Sequence, residues 1–180
     1  MKLRILLADD HRIVRESLRA LLEKDRGLEV VGEAEDGRTA VRLAKRLAPD
    51  VAVLDVGMPE LNGIEAARRI RAESPKTKVI ALSMHSDRRF VAEMLRAGAS
   101  AYLLKDCAPE NLREALRVVS SDQVYLCPQV AKTMVEEFAR RPEEGDASAF
   151  SLLSDRQREV LQLLAEGHST RRIASRLNVS

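Results

Sequence analysis

Over its first 120 residues the chain alternates five times between a short, largely apolar run and a longer stretch with helical spacing. The runs are Leu3–Ala8, Leu28–Ala34, Val51–Leu54, Lys78–Leu82 and Ser100–Leu104. Between them apolar residues recur on one helical face: Ile13, Val14, Leu18, Leu21 and Leu22, then Ala40, Val41, Ala44 and Leu47. Further helices are expected at 64–72, at 87–97 and after Pro109, where Leu112, Ala115, Leu116 and Val119 repeat. Strands this apolar have no wet face, so helices must cover both sides. Successive strand–helix units then wind with right-handed crossovers. The expected class is α/β, a (βα)5 doubly wound parallel sheet.

In such a sheet the carboxyl ends of the strands share one edge, where ligands collect. Four of the five runs end on residues able to handle a phosphoryl group: Asp9-Asp10, Asp55, Ser83 and Lys105. Asp55 is best placed as nucleophile, because the loop Val56-Gly57-Met58-Pro59 leaves its carboxylate at the open edge. Three carboxylates and one ammonium leave a net charge of −2. A Mg²⁺ ion balances that charge and prefers oxygen ligands. Each residue also has a plainer use, since Asp and Ser after a strand cap helices. Finding all of them at strand ends favours the site. His11 and His85 are assigned surface or capping roles, and His168 a turn.

Composition narrows the rest. With 45% apolar residues but only 3% aromatic and no Trp, the core must be aliphatic. Cys107 and Cys127 match no metal spacing or disulfide framework, as expected of a reduced cytosolic protein. No run nears the roughly 18 apolar residues of a membrane span, and the N-terminus enters the first strand with no signal-peptide pattern. The reading is a soluble cytoplasmic protein without a membrane partner. Beyond residue 120 an amphipathic helix is expected over Pro128–Arg141, with Val130, Met134, Val135 and Phe138 on one side. A polar tether follows over 141–149. Ser154-Asp155-Arg156-Gln157 has the form of a capping box opening a helix with Val160, Leu161 and Leu164. After Gly167 a second short helix carries Ile173, Ala174 and Leu177, the opening of a helix-turn-helix. The expected division is 1–120, a linker at 121–147, and 148–180.

Leu-Ala-Asp-Asp at 7–10, Leu-Asp-Val-Gly-Met-Pro at 54–59, Ala-Leu-Ser at 81–83 and Tyr-Leu-Leu-Lys at 102–105 resemble the receiver domain of two-component response regulators. Leu153–Leu161, Leu163–Gly167, Ile173-Ala174 and Leu177 resemble the start of a LuxR-type DNA-binding domain. Together they resemble the NarL/FixJ type. That resemblance implies a flavodoxin-like receiver in which Asp55 takes phosphate from a sensor histidine kinase. It implies Mg²⁺ bound by Asp10, Asp55 and the Gly57 carbonyl, with Asp9 acting largely through water. Ser83 and Tyr102 would be the switch pair, the ring turning inward as the hydroxyl moves to the phosphoryl group. Phosphorylation would promote homodimerisation or release the output domain. Promoter DNA is the partner of the intact protein, with Arg171, Arg172 and Arg176 candidates for phosphate contacts. The recognition helix would follow Val179-Ser180, so the 180-residue form is not expected to read a promoter, and its last helices are expected to pack loosely unless another surface covers them.

An enzyme of small phosphoesters is the rival class. Such an enzyme usually needs a second acid/base carboxylate two residues beyond the nucleophile, where this chain has Gly57. The expected chemistry is therefore limited to the protein's own phosphotransfer and dephosphorylation.

Overall fold

The computed structural model describes residues 2–139, 153–166, 168 and 170–177. Among these, strands β1 (Leu3–Ala8), β2 (Leu28–Ala34), β3 (Val51–Asp55), β4 (Lys78–Ser83), β5 (Ala101–Leu104) and β6 (Tyr125–Leu126) form one sheet in the order β2-β1-β3-β4-β5-β6. Every neighbouring pair is parallel. The expected flavodoxin-like α/β fold is present.

The helices are α1 (Arg12–Glu23), α2 (Gly37–Leu47), α3 (Gly63–Glu73), α4 (Arg88–Arg96), α5 (Ala108–Ser120), α6 (Pro128–Ala139), α7 (Asp155–Ala165) and α8 (Thr170–Arg176). Helix α1 contacts α5, whereas α2, α3 and α4 form a contiguous layer, as a doubly wound sheet requires. All five residues of β3 are buried, which is why its sequence shows no alternation. The caps are local and legible. Asp36, Asn62 and Asp87 accept from the backbone N–H of Thr39, Glu65 and Arg89, so Asp87 rather than Ser83 caps α4. Ser154 and Gln157 complete the expected capping box on α7.

The structure departs from expectation in several places. Strand β6 was not anticipated, because two residues are too short to show a period. Backbone bonds from Tyr125 N to Ser100 O (3.0 Å) and Cys127 N to Tyr102 O (3.2 Å) hold it. Ile13, expected in the core, is 79% exposed, and Arg15 is buried instead at 6%. On α6, Val130 is buried and Met134 packs against the core, but Val135 is exposed. The side chain of Phe138, the tether at 141–149, Gly167 and Ser169 lie outside the described residues. On α7, Leu161 and Leu164 are exposed, while Leu163 forms a small core with Ile173, Leu177 and Val160. Cys107 and Cys127 are both buried and not joined in a disulfide.

Candidate functional site

The strand order reverses between β1 and β3, and this crevice at the carboxyl edge is where the candidate residues meet. Register places Ala8 beside Leu54, so Asp9 and Asp55 emerge next to each other. Ser83 pairs with Leu104 on the other flank, one residue short of Lys105. Gly63 makes this edge compact. A Cβ there would lie 2.2 Å from the Asp55 carbonyl oxygen, so only glycine lets α3 begin against the end of β3.

Asp9, Asp10, His11 and Asp55 each offer a ligand atom, all within 4.8 Å of one another. Lys105 Nζ lies 2.7 Å from Asp9 Oδ2 and 2.9 Å from Asp55 Oδ2. Burial works against its charge, but its contacts with the two carboxylates prevail and hold its pKa above the ordinary lysine value. Burial also raises the Asp10 carboxyl; His11 opposes that shift, whereas the hydrogen bond and charge of Asp55 add to it. One ammonium thus faces three carboxylates. The donor set is hard, oxygen-rich and short of positive charge, which suits a hard divalent cation. His11, given only a surface or capping role from sequence, belongs to the cluster: its Nδ1 is 2.8 Å from Asp10 Oδ1 and 3.2 Å from Asp9 Oδ1.

A cavity of about 310 Å³ opens above Asp55, lined by His11, Gly57, Ser83, Met84, His85 and Lys105 among others. A Cβ at Gly57 would approach no heavy atom more closely than the Asp55 carboxylate oxygens, at 3.9 Å. Space for an incoming group is therefore open on that side. Ser83 Oγ accepts from His85 N at 3.0 Å, and Tyr102 OH donates to His85 O at 2.8 Å. The Tyr102 ring is already fully buried, with its pKa pushed up to about 12 chiefly by burial. The ring lies inward, with the His85 carbonyl as the partner of its hydroxyl.

Helix α7 docks beside this site. Gln162 Nε2 donates to Met58 O (3.1 Å), Asn62 N donates to Gln162 Oε1 (3.0 Å), and Glu60 N donates to Glu166 Oε1 (3.2 Å). The buried Glu65 pairs with Arg158 at 2.7 Å and with Arg68. The buried Glu159 pairs with Arg38, with Arg69 at 2.9 Å and with Arg156 at 3.3 Å. Arg176 pairs with Glu60 at 2.5 Å and so faces the receiver in this arrangement. Arg172 is exposed, and the side chain of Arg171 lies outside the described residues. Sequence reasoning missed this interface. Its one signal was spacing, since Glu159 lies four residues before Leu163 on the inward side of α7.

The fold and site define a doubly wound α/β domain with an acidic cluster at its carboxyl edge, joined to a helical segment. Residues 5–117 match the response regulator receiver domain, and residues 151–180 match the LuxR family of bacterial regulatory proteins. The chain is 35% identical to the transcriptional regulatory protein DegU of Brevibacillus brevis, over 99% of this chain and 81% of that protein. A LuxR-family two-component response regulator from Aurantimonas aligns with a TM-score of 0.74 and 36% identity, covering 77% of this chain and 99% of that one. A structure of two RcsB dimers bound to two parallel DNAs aligns with a TM-score of 0.71 and 28% identity, covering all of this chain and 85% of that one. The chain therefore belongs to the two-component response regulators that join a receiver to a LuxR-type DNA-binding domain.

Proposed function

We propose that Asp55 is the phosphoacceptor through which a sensor histidine kinase controls this regulator's output. A carboxylate oxygen of Asp55 attacks phosphorus, and the P–N bond of a kinase phosphohistidine breaks with its electron pair staying on the imidazole. Asp10, Asp55 and the Gly57 carbonyl would hold Mg²⁺, with Asp9 acting largely through water; the cation would neutralise charge on the transferring phosphoryl oxygens. Lys105 pairs with one of those oxygens and Ser83 donates its hydroxyl to another. The chain catalyses only its own phosphotransfer and dephosphorylation. Exposed Met84 at the cavity rim and Ile13 on the first turn of α1 suit a docking kinase.

The observation that supports this reading most is the joint contact of Lys105 with Asp9 and Asp55 beside an open cavity. Acetyl phosphate with Mg²⁺ should label the chain once, and Asp55→Asn should abolish the label. Labelling that survives in Asp55→Asn, or steady turnover of a small phosphoester, would overturn the reading. The division at 120 and 148 belongs to the same proposal, with a cytoplasmic location. Among the described residues no helix is long and apolar enough to cross a membrane.

Of the two routes to output, the α7 contacts favour release over dimerisation as the first event. The loop following Asp55 donates to and accepts from α7 through its backbone, so a change at Asp55 reaches the output helix directly. Promoter DNA is the partner of the released domain, and a homodimer on DNA, as RcsB forms, is compatible with that order.

A further inference from the structure

Arg15 is the group that the phosphoryl chemistry leaves unexplained. Arginine is rarely fully buried unless paired, yet this one sits on the inward face of α1 at 6% exposure. Its Nη1 donates to the backbone carbonyl of Asp9 at 2.6 Å and its Nη2 to Glu35 Oε1 at 3.0 Å. Its Nε lies 3.5 Å from Glu33 Oε2. The guanidinium thus spans from α1 across the end of β1 to the end of β2. The Asp9 carbonyl belongs to the peptide joining Asp9 to Asp10, the two consecutive carboxylates of the cluster. On the other side, Asp9 N donates to Ala34 O at 3.1 Å. Asp9 is therefore tied through both its backbone N–H and its carbonyl, and Arg15 makes the tie on the peptide that leads into Asp10.

We propose that Arg15 is a positioning residue for the divalent cation: it fixes the Asp9–Asp10 peptide so that both carboxylates converge with Asp55. The inference rests on the metal reading above and adds a residue to it. Geometry and charge pull in opposite directions here, which makes the idea testable. A nearby guanidinium repels a cation, so its removal should tighten binding if field were all that mattered. If position dominates, its removal should weaken binding, by about 10-fold on the scale of partners that orient metal ligands.

The experiment is a titration of the full chain with Mg²⁺ alone, followed by backbone amide NMR shifts, for the wild type, Arg15→Met and Arg15→Lys. Arg15→Met keeps the apolar stem and should raise the Mg²⁺ midpoint about 10-fold. Arg15→Lys, retaining one donor and the charge, should recover part of the loss. Acetyl phosphate labelling should show a raised half-saturating Mg²⁺ concentration with a nearly unchanged maximal rate, a split that loss of stability alone would not produce. An unchanged or lowered midpoint in Arg15→Met overturns the proposal. Should that variant fail to fold, Glu35→Gln, which loosens the guanidinium without emptying its place, carries the same prediction at smaller size, and an unchanged midpoint there overturns it equally. Failure of the wild type to bind Mg²⁺ would instead sink the metal reading itself.

Discussion

Tyr102 shows how a single side chain can report on the state of the site. Its hydroxyl donates to the carbonyl of His85, whose amide donates to Ser83, and the His85 ring stacks on Phe90 with centroids 5.3 Å apart. Burial holds the phenol's pKa near 12, whereas in the unfolded chain it returns to about 10. A folded pKa raised in this way contributes stability that is fully present below pH 10 and is lost as pH rises towards 12. The loss by pH 12 is roughly 2 kcal/mol. Tyr102→Phe forfeits the hydrogen bond, so it should be less stable at pH 7 by about 1 kcal/mol. It has no phenol to ionise, so the order should reverse near pH 12. Denaturant unfolding of both proteins at pH 7 and pH 11.5 checks this, and a pH-independent gap would contradict it. At this scale the sequence was most readable where chemistry sits at strand ends. Asp9, Asp10, Asp55, Ser83 and Lys105 all fall where the alternating runs put them. Ile13 leaves its expected place and Arg15 is buried because helical periodicity scores apolarity, while a buried guanidinium needs acceptors that only the folded chain brings near. Arg15 does stand three residues before Leu18 and seven before Leu22, a spacing that marks the inward stripe whatever the residue type.

Among the elements, α7 carries the most unusual surface. It turns two charged residues, Arg158 and Glu159, inward, and leaves Leu161 and Leu164 exposed at 45% and 46%. Those leucines, expected to lack partners unless another surface covers them, do stay uncovered, because the face that docks on α2 and α3 is ionic. Opposite it, Glu65 is buried on α3, so two desolvated carboxylates are each compensated by several arginines. Such networks add little net stability relative to apolar packing, yet removing one member is costly, about 3–5 kcal/mol, because a charge is left buried and unpaired. A helix held this way can detach as a unit, since its arginines regain water on leaving. Glu159→Ala should therefore undock α7 and leave the receiver folded. Hydrogen exchange should show lost protection at Glu60 and Asn62, whose backbone amides donate to α7, with strands β1 and β3 unaffected. Uniform loss across the sheet would contradict the idea. The sequence revealed α7 through its capping box, a local motif, but not its docking face, which depends on partners about 90 to 120 residues away. For the same reason β6 stayed hidden, as two residues borrow their strand character from β5.

For the molecule as a whole, the loop from Val56 to Asn62 is shared property. One end follows Asp55 and contributes Gly57 to the cavity; the other is held by Gln162 and Glu166 of α7. A structure that satisfies the loop through α7 and one that satisfies it around a phosphoryl group need not be the same structure. If they differ, the two contacts compete, and each weakens the other by the same factor, because coupling between binding equilibria is reciprocal. The size expected for such coupling is about 1–3 kcal/mol, or roughly 5- to 150-fold in affinity. Beryllofluoride, a stable mimic of the phosphoryl group, allows both directions to be measured at equilibrium. With Mg²⁺ present, it should lower the hydrogen-exchange protection of α7 in the wild type. Conversely, Glu159→Ala, with α7 already undocked, should bind beryllofluoride more tightly than the wild type, by the factor through which beryllofluoride weakens docking. Glu159 is far from the phosphoryl chemistry in sequence, and its partners Arg38, Arg69 and Arg156 lie outside the Asp55 cavity lining. A tighter complex in that variant can therefore arise only through the docking equilibrium. Equal affinity in the two proteins would mean that α7 rests on the receiver without sensing Asp55, and release would then have to be driven from another surface.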